Sequence, residues 1–192
     1  MSKTQDYKDT LFFLLKLLAI WLSWKGIIYL LGEESLPLKE RMFPAISAPW
    51  EFMNQTIREM VINGAELLLN LFGYETENTG YILRIKGNGG VSVGNYCLGI
   101  HLMYYFIMLL LISKISWMKK LIGSVTGILI TNVLNVFRIA IFNVVKVSAP
   151  YFLPVMHDYI FNAIVLGALF VFYLFLLREP DSEPGILNKR KS

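Results

Sequence analysis

The sequence predicts an all-α integral membrane protein with four transmembrane helices. Hydrophobic residues make up 55% of the 192 positions and charged residues only 17%, and the mean hydropathy is +0.53. An ordinary soluble domain of this size is less apolar. The formal charge of +4 does not indicate a nucleic-acid-binding protein, because the basic residues flank apolar segments instead of clustering with aromatic residues on a polar face. We therefore place the chain in a membrane.

Four segments are apolar and long enough to cross a bilayer, which takes about 20 residues, with a range of about 17–25. They cover residues 11–31, 98–115, 121–145 and 159–177. Lys16 and Lys25 interrupt the first segment, where their side chains can snorkel or face other helices. This segment lacks the small-residue cleavage site of a secretory signal peptide, so we expect it to be retained. Residues 1–179 then form one membrane-embedded domain, followed by a tail over 180–192.

Lysine and arginine residues set the expected orientation. They precede the first span, lie between the second and third spans, and follow the fourth. Such regions face the cytoplasm. This predicts a multi-pass protein of the cytoplasmic membrane with both termini and the tail 180–192 in the cytoplasm. Residues 32–97, which carry most of the acidic residues, form an extracytoplasmic insertion.

The insertion has two recognisable parts. Apolar positions between 60 and 72 share one helical face and Arg58 lies on another, which predicts an interfacial helix that acts as a lid or, as we favour, as packing. Residues 61–72 are too short to span. Apolar and polar residues then alternate around Gly87-Asn88-Gly89-Gly90, which predicts a short β-hairpin directly before Cys97. The edge of this hairpin either pairs with a substrate strand or only covers the end of the bundle.

Cys97 is the only cysteine of the chain, and it stands where the hairpin runs into the second span. A lone thiol forms no intramolecular disulfide, so it serves packing or reactivity. Arg138 lies inside the third span and His157 begins the fourth. At 1.5 Å per residue, Arg138 lies about 25 Å along a hydrocarbon layer about 30 Å thick. The topology therefore predicts that all three residues reach the extracytoplasmic face.

These three side chains suit acyl transfer through a thioester. The thiolate of Cys97 attacks a peptide carbonyl, His157 takes and returns the proton, and Arg138 stabilises the oxyanion. An arginine inside a span costs about 2.5–3.5 kcal/mol on insertion scales, which favours a functional role. The alternatives are a packing cysteine, an arginine that anchors to lipid phosphate, and an ordinary interfacial histidine.

Three further polar residues accompany this set. His101 follows Cys97 by one helical turn and is an alternative base or a packing residue. Asn135 either orients Arg138 or joins helices by a hydrogen bond. Asp158 follows His157, and a metal site would need His101, His157 and Asp158 together, so we predict none. Nucleotide, redox and metalloprotease motifs are missing from the sequence, and we predict no cofactor.

The three short motifs together resemble the exosortase/archaeosortase family, in its short, four-span bacterial form. They are Cys97-Leu98-Gly99-Ile100 after the hairpin, Asn135-Val136-Phe137-Arg138-Ile139 in the third span, and His157-Asp158 at the start of the fourth, and the resemblance covers residues 81–177. Leu98 departs from the family pattern, in which a small or polar residue often follows the cysteine. This departure affects the sub-family and the choice of substrate more than the chemistry.

The resemblance implies a membrane cysteine transpeptidase or protease in a bacterial cytoplasmic membrane, with Cys97, Arg138 and His157 as its catalytic residues. Its expected partner is an exported protein with a C-terminal transmembrane sorting signal, which the enzyme cleaves. The acyl group then passes to water or to a lipid-linked or amine acceptor.

A second class of function is compatible with the same residues. A non-catalytic membrane subunit of an envelope or polysaccharide export assembly would bind anionic lipid through Arg138 and would carry a passive Cys97. A transporter fragment has less support, because the four spans show neither repeats nor pairs of broken helices. The reactivity of Cys97 distinguishes an enzyme from a passive subunit.

Overall fold

A computed structural model describes residues 3–31 and 44–178, without the side chains of residues 3–10, 13, 44, 46 and 158. The predicted cytoplasmic tail 180–192 and the first part of the predicted insertion, residues 32–43, lie outside the described residues. The described chain is mostly helical and carries one small sheet.

Six α-helices follow one another through the described residues. They are α1 (Lys3–Leu31), α2 (Pro44–Leu71), α3 (Ile100–Ile112), α4 (Trp117–Ser148), α5 (Leu153–Val155) and α6 (Phe161–Arg178). Within α1, Leu14–Leu31 is long and apolar enough to cross a membrane, as are α4 and α6. The first, third and fourth predicted spans are thereby confirmed as candidate membrane spans.

The second predicted span corresponds to a shorter helix. α3 has 13 residues, and at 1.5 Å per residue it is about 20 Å long, whereas the hydrocarbon core is about 30 Å thick. The α-helical part of this segment is shorter than predicted because Gly99 ends the preceding turn and Ser113 already has an extended backbone. The four-span topology therefore stays a prediction.

α2 is one continuous helix of 28 residues, and it includes the segment in which the sequence predicted an interfacial helix. Its apolar face packs on α4 and is fully buried at Val61, Ile62, Ala65 and Leu69, in agreement with a packing role. The prediction that Arg58 stays on a polar face is wrong, because this side chain is only 3% exposed. The Arg58 guanidinium contacts residues of other segments, which helical periodicity does not reveal.

The predicted hairpin is confirmed. β2 (Ile82–Ile85) pairs antiparallel with β3 (Val91–Ser92), with Leu83 opposite Val91. A third strand, β1 (Thr76–Asn78), was not predicted and pairs with the other edge of β2. Exposed ion pairs support this edge, since Arg84 contacts Glu77 at 2.5 Å and Lys86 contacts Glu75 at 2.9 Å. The Lys86 ammonium holds the pKa of Glu75 below its ordinary value.

The buried core has two parts at opposite ends of the helices. One part joins α2, the sheet, the start of α3 and the second half of α4, and it contains Cys97, Leu98 and Ile139. The other joins α3 and α6, and it contains Phe106, Leu110 and Leu169. The sheet therefore packs on the same end of the bundle as Cys97, which fixes the segment that precedes the cysteine.

The approach of α3 to α4 depends on small residues. A Cβ atom added at Gly127 would lie 2.4 Å from Phe106 Cε1, which is closer than real carbon atoms approach. Membrane helices commonly place glycine where two backbones pack closely. Gly127 thereby leaves room for the Phe106 ring of α3 against the backbone of α4.

Candidate active site

Cys97 lies in a short 3-10 turn, Asn95–Leu98, between β3 and α3. Gly99 closes the turn with φ of 68°, a left-handed backbone conformation that glycine adopts without strain. A Cβ atom added to Gly99 would also lie 3.1 Å from Thr131 Cγ2 and 3.2 Å from Asn135 Nδ2. Glycine therefore serves both the backbone conformation and the close approach of the turn to α4.

A buried hydrogen bond ties this turn to α4. Asn135 Nδ2 donates to the carbonyl oxygen of Leu98 at 2.7 Å, and both residues are at most 1% exposed. A buried carbonyl without a partner is costly, so this bond holds Leu98 and the preceding Cys97 in place. Asn135 joins two segments of the bundle, which was one of its two predicted roles.

His157 reaches Cys97 from a segment 60 residues further along the chain. Its Nε2 atom lies 3.5 Å from Cys97 Sγ, within hydrogen-bonding distance for sulfur. His157 belongs to a π-helical turn, Met156–Ile160, which joins α5 to α6. Such wide turns inside helices occur frequently at functional sites. The thiol is 9% exposed, and the histidine is half-buried.

Arg138 is on α4, beside His157, and is only 4% exposed. Its Nη2 atom donates to the main-chain oxygen of His157 over 3.5 Å. One turn further along α4, the Phe142 ring lies 5.3 Å from the Arg138 guanidinium and 5.6 Å from the His157 ring. Phe142, which was not singled out from the sequence, therefore packs against both side chains and restricts their orientations.

The structure brings Cys97 and His157 together and places Arg138 beside His157. His101 lines a different cavity, between α1, α2 and α3, where its ring lies edge-on to Tyr105. The side chain of Asp158 lies outside the described residues. Among the described residues, no group of three His, Cys, Asp or Glu side chains could hold a metal ion.

Two polar residues near Cys97 were missed in the sequence. Arg58 Nη2 on α2 donates to Asn95 Oδ1 at the first position of the turn, and its guanidinium lies 4.5 Å from the Tyr81 ring. Helical periodicity placed Arg58 on a polar face because it does not account for the sheet and the turn, which fold over α2. The sequence held one indication of this contact, which is that Asn95 precedes the lone cysteine by two residues.

The geometry supports one kind of chemistry. An imidazole in contact with a thiol can accept its proton, which is how cysteine nucleophiles are activated. A fixed guanidinium beside the imidazole adds positive charge in a largely buried site. Fold and site together define a membrane-embedded protein with a cysteine–histidine pair at one end of its helices.

Comparison with protein families identifies the chain. The model of the transmembrane exosortase family matches residues 10–178, and the chain belongs to this family. Exosortases are transmembrane cysteine peptidases or transpeptidases. The match extends beyond the residues 81–177 on which the sequence resemblance rested, and it includes α1 and α2. No curated protein and no solved structure matches the chain significantly.

We expect Asn135→Ala to loosen the turn that carries Cys97, because it leaves the Leu98 carbonyl buried without a donor. The predicted loss of stability is about 1–3 kcal/mol. Asn132→Ala is the matched control, since Asn132 bonds only the Ile128 carbonyl of its own helix. Thermal unfolding in detergent and the alkylation rate of Cys97 measure both effects. Equal behaviour of the two variants would contradict the role of Asn135.

Proposed function

We propose that this protein is a cysteine transpeptidase or protease of the bacterial cytoplasmic membrane that cleaves the C-terminal sorting signals of exported proteins. The observation that carries the proposal is the 3.5 Å contact between Cys97 Sγ and His157 Nε2. Membership of the exosortase family supports the same class of reaction.

The reaction begins when the proton of Cys97 Sγ moves to His157 Nε2. The thiolate attacks the carbonyl carbon of the scissile peptide bond and forms a tetrahedral oxyanion. The C–N bond then breaks, and the imidazolium returns its proton to the leaving amine. The product is a thioester on Cys97, which water, an amine or a lipid-linked acceptor attacks to release the acyl group.

Arg138 stabilises the oxyanion in this proposal. A guanidinium is always charged, and a charge held in a largely buried site acts more strongly than the same charge in water. The contacts of Arg138 with Phe142 and with the His157 carbonyl hold the guanidinium in place before the reaction. Preorganised charge of this kind contributes through the transition state more than through substrate binding.

The charge distribution of the sequence supports a site on the extracytoplasmic side, with both termini in the cytoplasm. The substrate is an exported protein whose C-terminal tail crosses the membrane. Docking of this tail beside the apolar helices positions the scissile bond at the level of Cys97 and replaces diffusion by orientation.

A groove beside the histidine is suited to the peptide that precedes the tail. It has a volume of about 360 Å³ and lies between β3 on one side and Leu153, Pro154 and His157 on the other. β3 is an edge strand of the three-stranded sheet. We assign the groove to a substrate segment that pairs with the open edge of β3, as peptides do in β-augmentation.

The register indicates which backbone groups of β3 are open. The Val93 amide donates to the Tyr81 carbonyl, and Ser92 is opposite Ile82. Because successive residues of an antiparallel strand alternate in direction, the Ser92 amide points away from β2 and towards the open edge. Lys146 Nζ donates to the Gly90 carbonyl and fixes the start of this strand on α4.

The alternative of a passive lipid-binding subunit is not favoured by the position of Arg138. Arg138 is only 4% exposed, and it lies on α4 beside the cysteine–histidine pair. Its guanidinium contacts Phe142 and the His157 carbonyl.

We expect His157→Ala to slow alkylation of Cys97 about tenfold or more below pH 7. Alkylation proceeds through the thiolate, and His157 Nε2 is the acceptor within hydrogen-bonding distance of Cys97 Sγ that can take up the thiol proton. The measurement is the rate of labelling by a membrane-impermeant thiol reagent on intact cells between pH 6 and pH 9. Because Cys97 is the only cysteine, the signal is unambiguous.

His101→Ala is the matched control, since this histidine follows Cys97 by one turn but lines a different cavity. It should leave the labelling profile unchanged. An alkylation rate that His157→Ala leaves unchanged, or that His101→Ala lowers equally, would contradict the role of His157 as the base. Labelling that occurs only after the cells are opened would reverse the proposed orientation.

Arg138→Gln should lower processing of an exported substrate by about 10²- to 10³-fold, the usual effect of removing an oxyanion donor. It should leave Cys97 alkylation within a few-fold of wild type. Arg138→Lys should retain more processing than Arg138→Gln, and Cys97→Ala should retain none. Mass spectrometry of substrate C-termini in cells measures processing. Normal processing by Cys97→Ala would refute the enzymatic function.

Ser92→Pro should slow processing about tenfold, because it removes an outward-pointing donor without breaking the ladder between β2 and β3. Ser92→Ala removes only the hydroxyl group and should process normally. Membrane insertion and Cys97 alkylation should be unchanged in both variants. Equal processing by the two variants would exclude pairing of the substrate with β3.

A further inference from the structure

We propose a binding site for a phosphate-headed membrane lipid at the end of the bundle that contains Cys97. The site is a cavity of about 270 Å³ between α1, α2 and α3, and its walls include Lys25, Asn54, Asn95 and His101. The cavity does not include His157, which lines the groove beside β3. The proposal is therefore independent of the chemistry of Cys97.

Asn54 is the first observation that points to a ligand. This side chain is 0% exposed, and neither its Nδ2 nor its Oδ1 atom has a hydrogen-bond partner among residues 3–31 and 44–178. A buried amide without partners is costly. A phosphate oxygen satisfies Nδ2, and a hydroxyl or ammonium group of the same head satisfies Oδ1.

One cation lines this cavity and a second contacts one of its walls, and together they supply the positive charge that an anion requires. Lys25 of α1 lines it directly. Arg58 lies one turn beyond Asn54 on α2 and donates through Nη2 to Asn95, which also lines the cavity. Arg58 is 3% exposed, and its Nε and Nη1 atoms have no hydrogen-bond partner within the described part of the chain. Guanidinium, ammonium and amide groups together match the oxygens of a phosphate.

An apolar groove continues from the polar cavity along the helices. It has a volume of about 330 Å³, lies between α1, α3 and α6, and shares Trp21 and Tyr105 with the polar cavity. Leu17, Leu109 and Phe170 line its far part. A molecule that fills both spaces has a polar anionic head near Cys97 and a hydrocarbon chain directed into the bundle, which is the construction of a lipid.

The lining of the groove suits hydrocarbon chains, because leucine, isoleucine and aromatic side chains form it along its length. Aromatic residues at the cavity agree with a head at the membrane interface, where Trp and Tyr concentrate, because Trp24 packs against Trp50 at 6.2 Å and against Tyr104 at 5.1 Å.

Native mass spectrometry of the purified full-length protein in detergent tests the proposal. The three probes are phosphatidylglycerol, a polyprenyl phosphate and diacylglycerol, which has the chains but no phosphate. We expect at least one phosphate-headed lipid to be retained about tenfold more strongly than diacylglycerol. The stronger of the two identifies the source of the phosphate head. The same result is expected with Cys97→Ala protein, so the outcome does not depend on the enzymatic proposal.

Variants locate the binding at the cavity. Asn54→Leu and Lys25→Gln should each lower retention of the phosphate-headed lipid about tenfold, the usual effect of one charge-assisted hydrogen bond. Lys25→Arg should restore most of it, and this pair remains informative even if Asn54→Leu fails to fold. Lys16→Gln is the matched control, since Lys16 lies on the same helix outside both cavities. It should bind like the wild type.

Three outcomes would overturn the proposal. Equal retention of diacylglycerol would mean that only the chains are recognised. Equal loss in Lys16→Gln and Lys25→Gln would mean that the charge acts away from the cavity. Absence of both phosphate-headed lipids from the wild-type protein would assign the polar cavity to another kind of ligand, such as a peptide side chain.

Discussion

The hydrogen bond from Asn135 to the Leu98 carbonyl fixes the position on which the site depends. The cysteine lies in a short turn, not in a helix, so its backbone has few regular hydrogen bonds of its own. Asn135 of α4 donates one to the Leu98 carbonyl of this turn at 2.7 Å, and Gly99 leaves room for the Thr131 and Asn135 side chains of α4. Since Arg138 follows Asn135 by less than one turn of the same helix, one rigid element positions both the nucleophile and the cation. Phe142 of the same helix contacts the His157 ring and so positions the histidine against α4.

The same physical constraint applies to Arg58 and Arg138, which are both buried among the described residues. A guanidinium removed from water needs acceptors for its N–H groups and a polarisable neighbour. Each of these two arginines has an oxygen acceptor and an aromatic ring beside it. Arg138 has Phe142 and the His157 carbonyl, and Arg58 has Tyr81 and Asn95. The first contacts the residue that meets the thiol, and the second contacts the turn that carries it. The positive charge around Cys97 is thereby supplied from two helices.

The sequence was sufficient for features that depend on local composition. Hydropathy predicted three of the helices that are candidate spans, and the glycine-rich turn predicted the pairing of β2 with β3. The topology placed Cys97 and His157 at one level, and the structure brings them within 3.5 Å. Features that depend on distant segments were not predictable. Helical periodicity could not show that the sheet and the turn cover Arg58, and β1 has no apolar alternation because it is held by pairing and by exposed ion pairs.

The turn around Cys97 separates two spaces that differ in chemistry. The groove between β3 and His157 presents an open strand edge, which suits an extended peptide. The cavity between α1, α2 and α3 presents Asn54, Lys25 and an apolar continuation, which suits a charged head with a hydrocarbon chain. Because no described residue lines both spaces, a peptide and a lipid bound there contact different parts of the described chain. A lipid in the cavity between α1, α2 and α3 can therefore support the turn that carries Cys97, while the groove beside His157 stays open to the substrate.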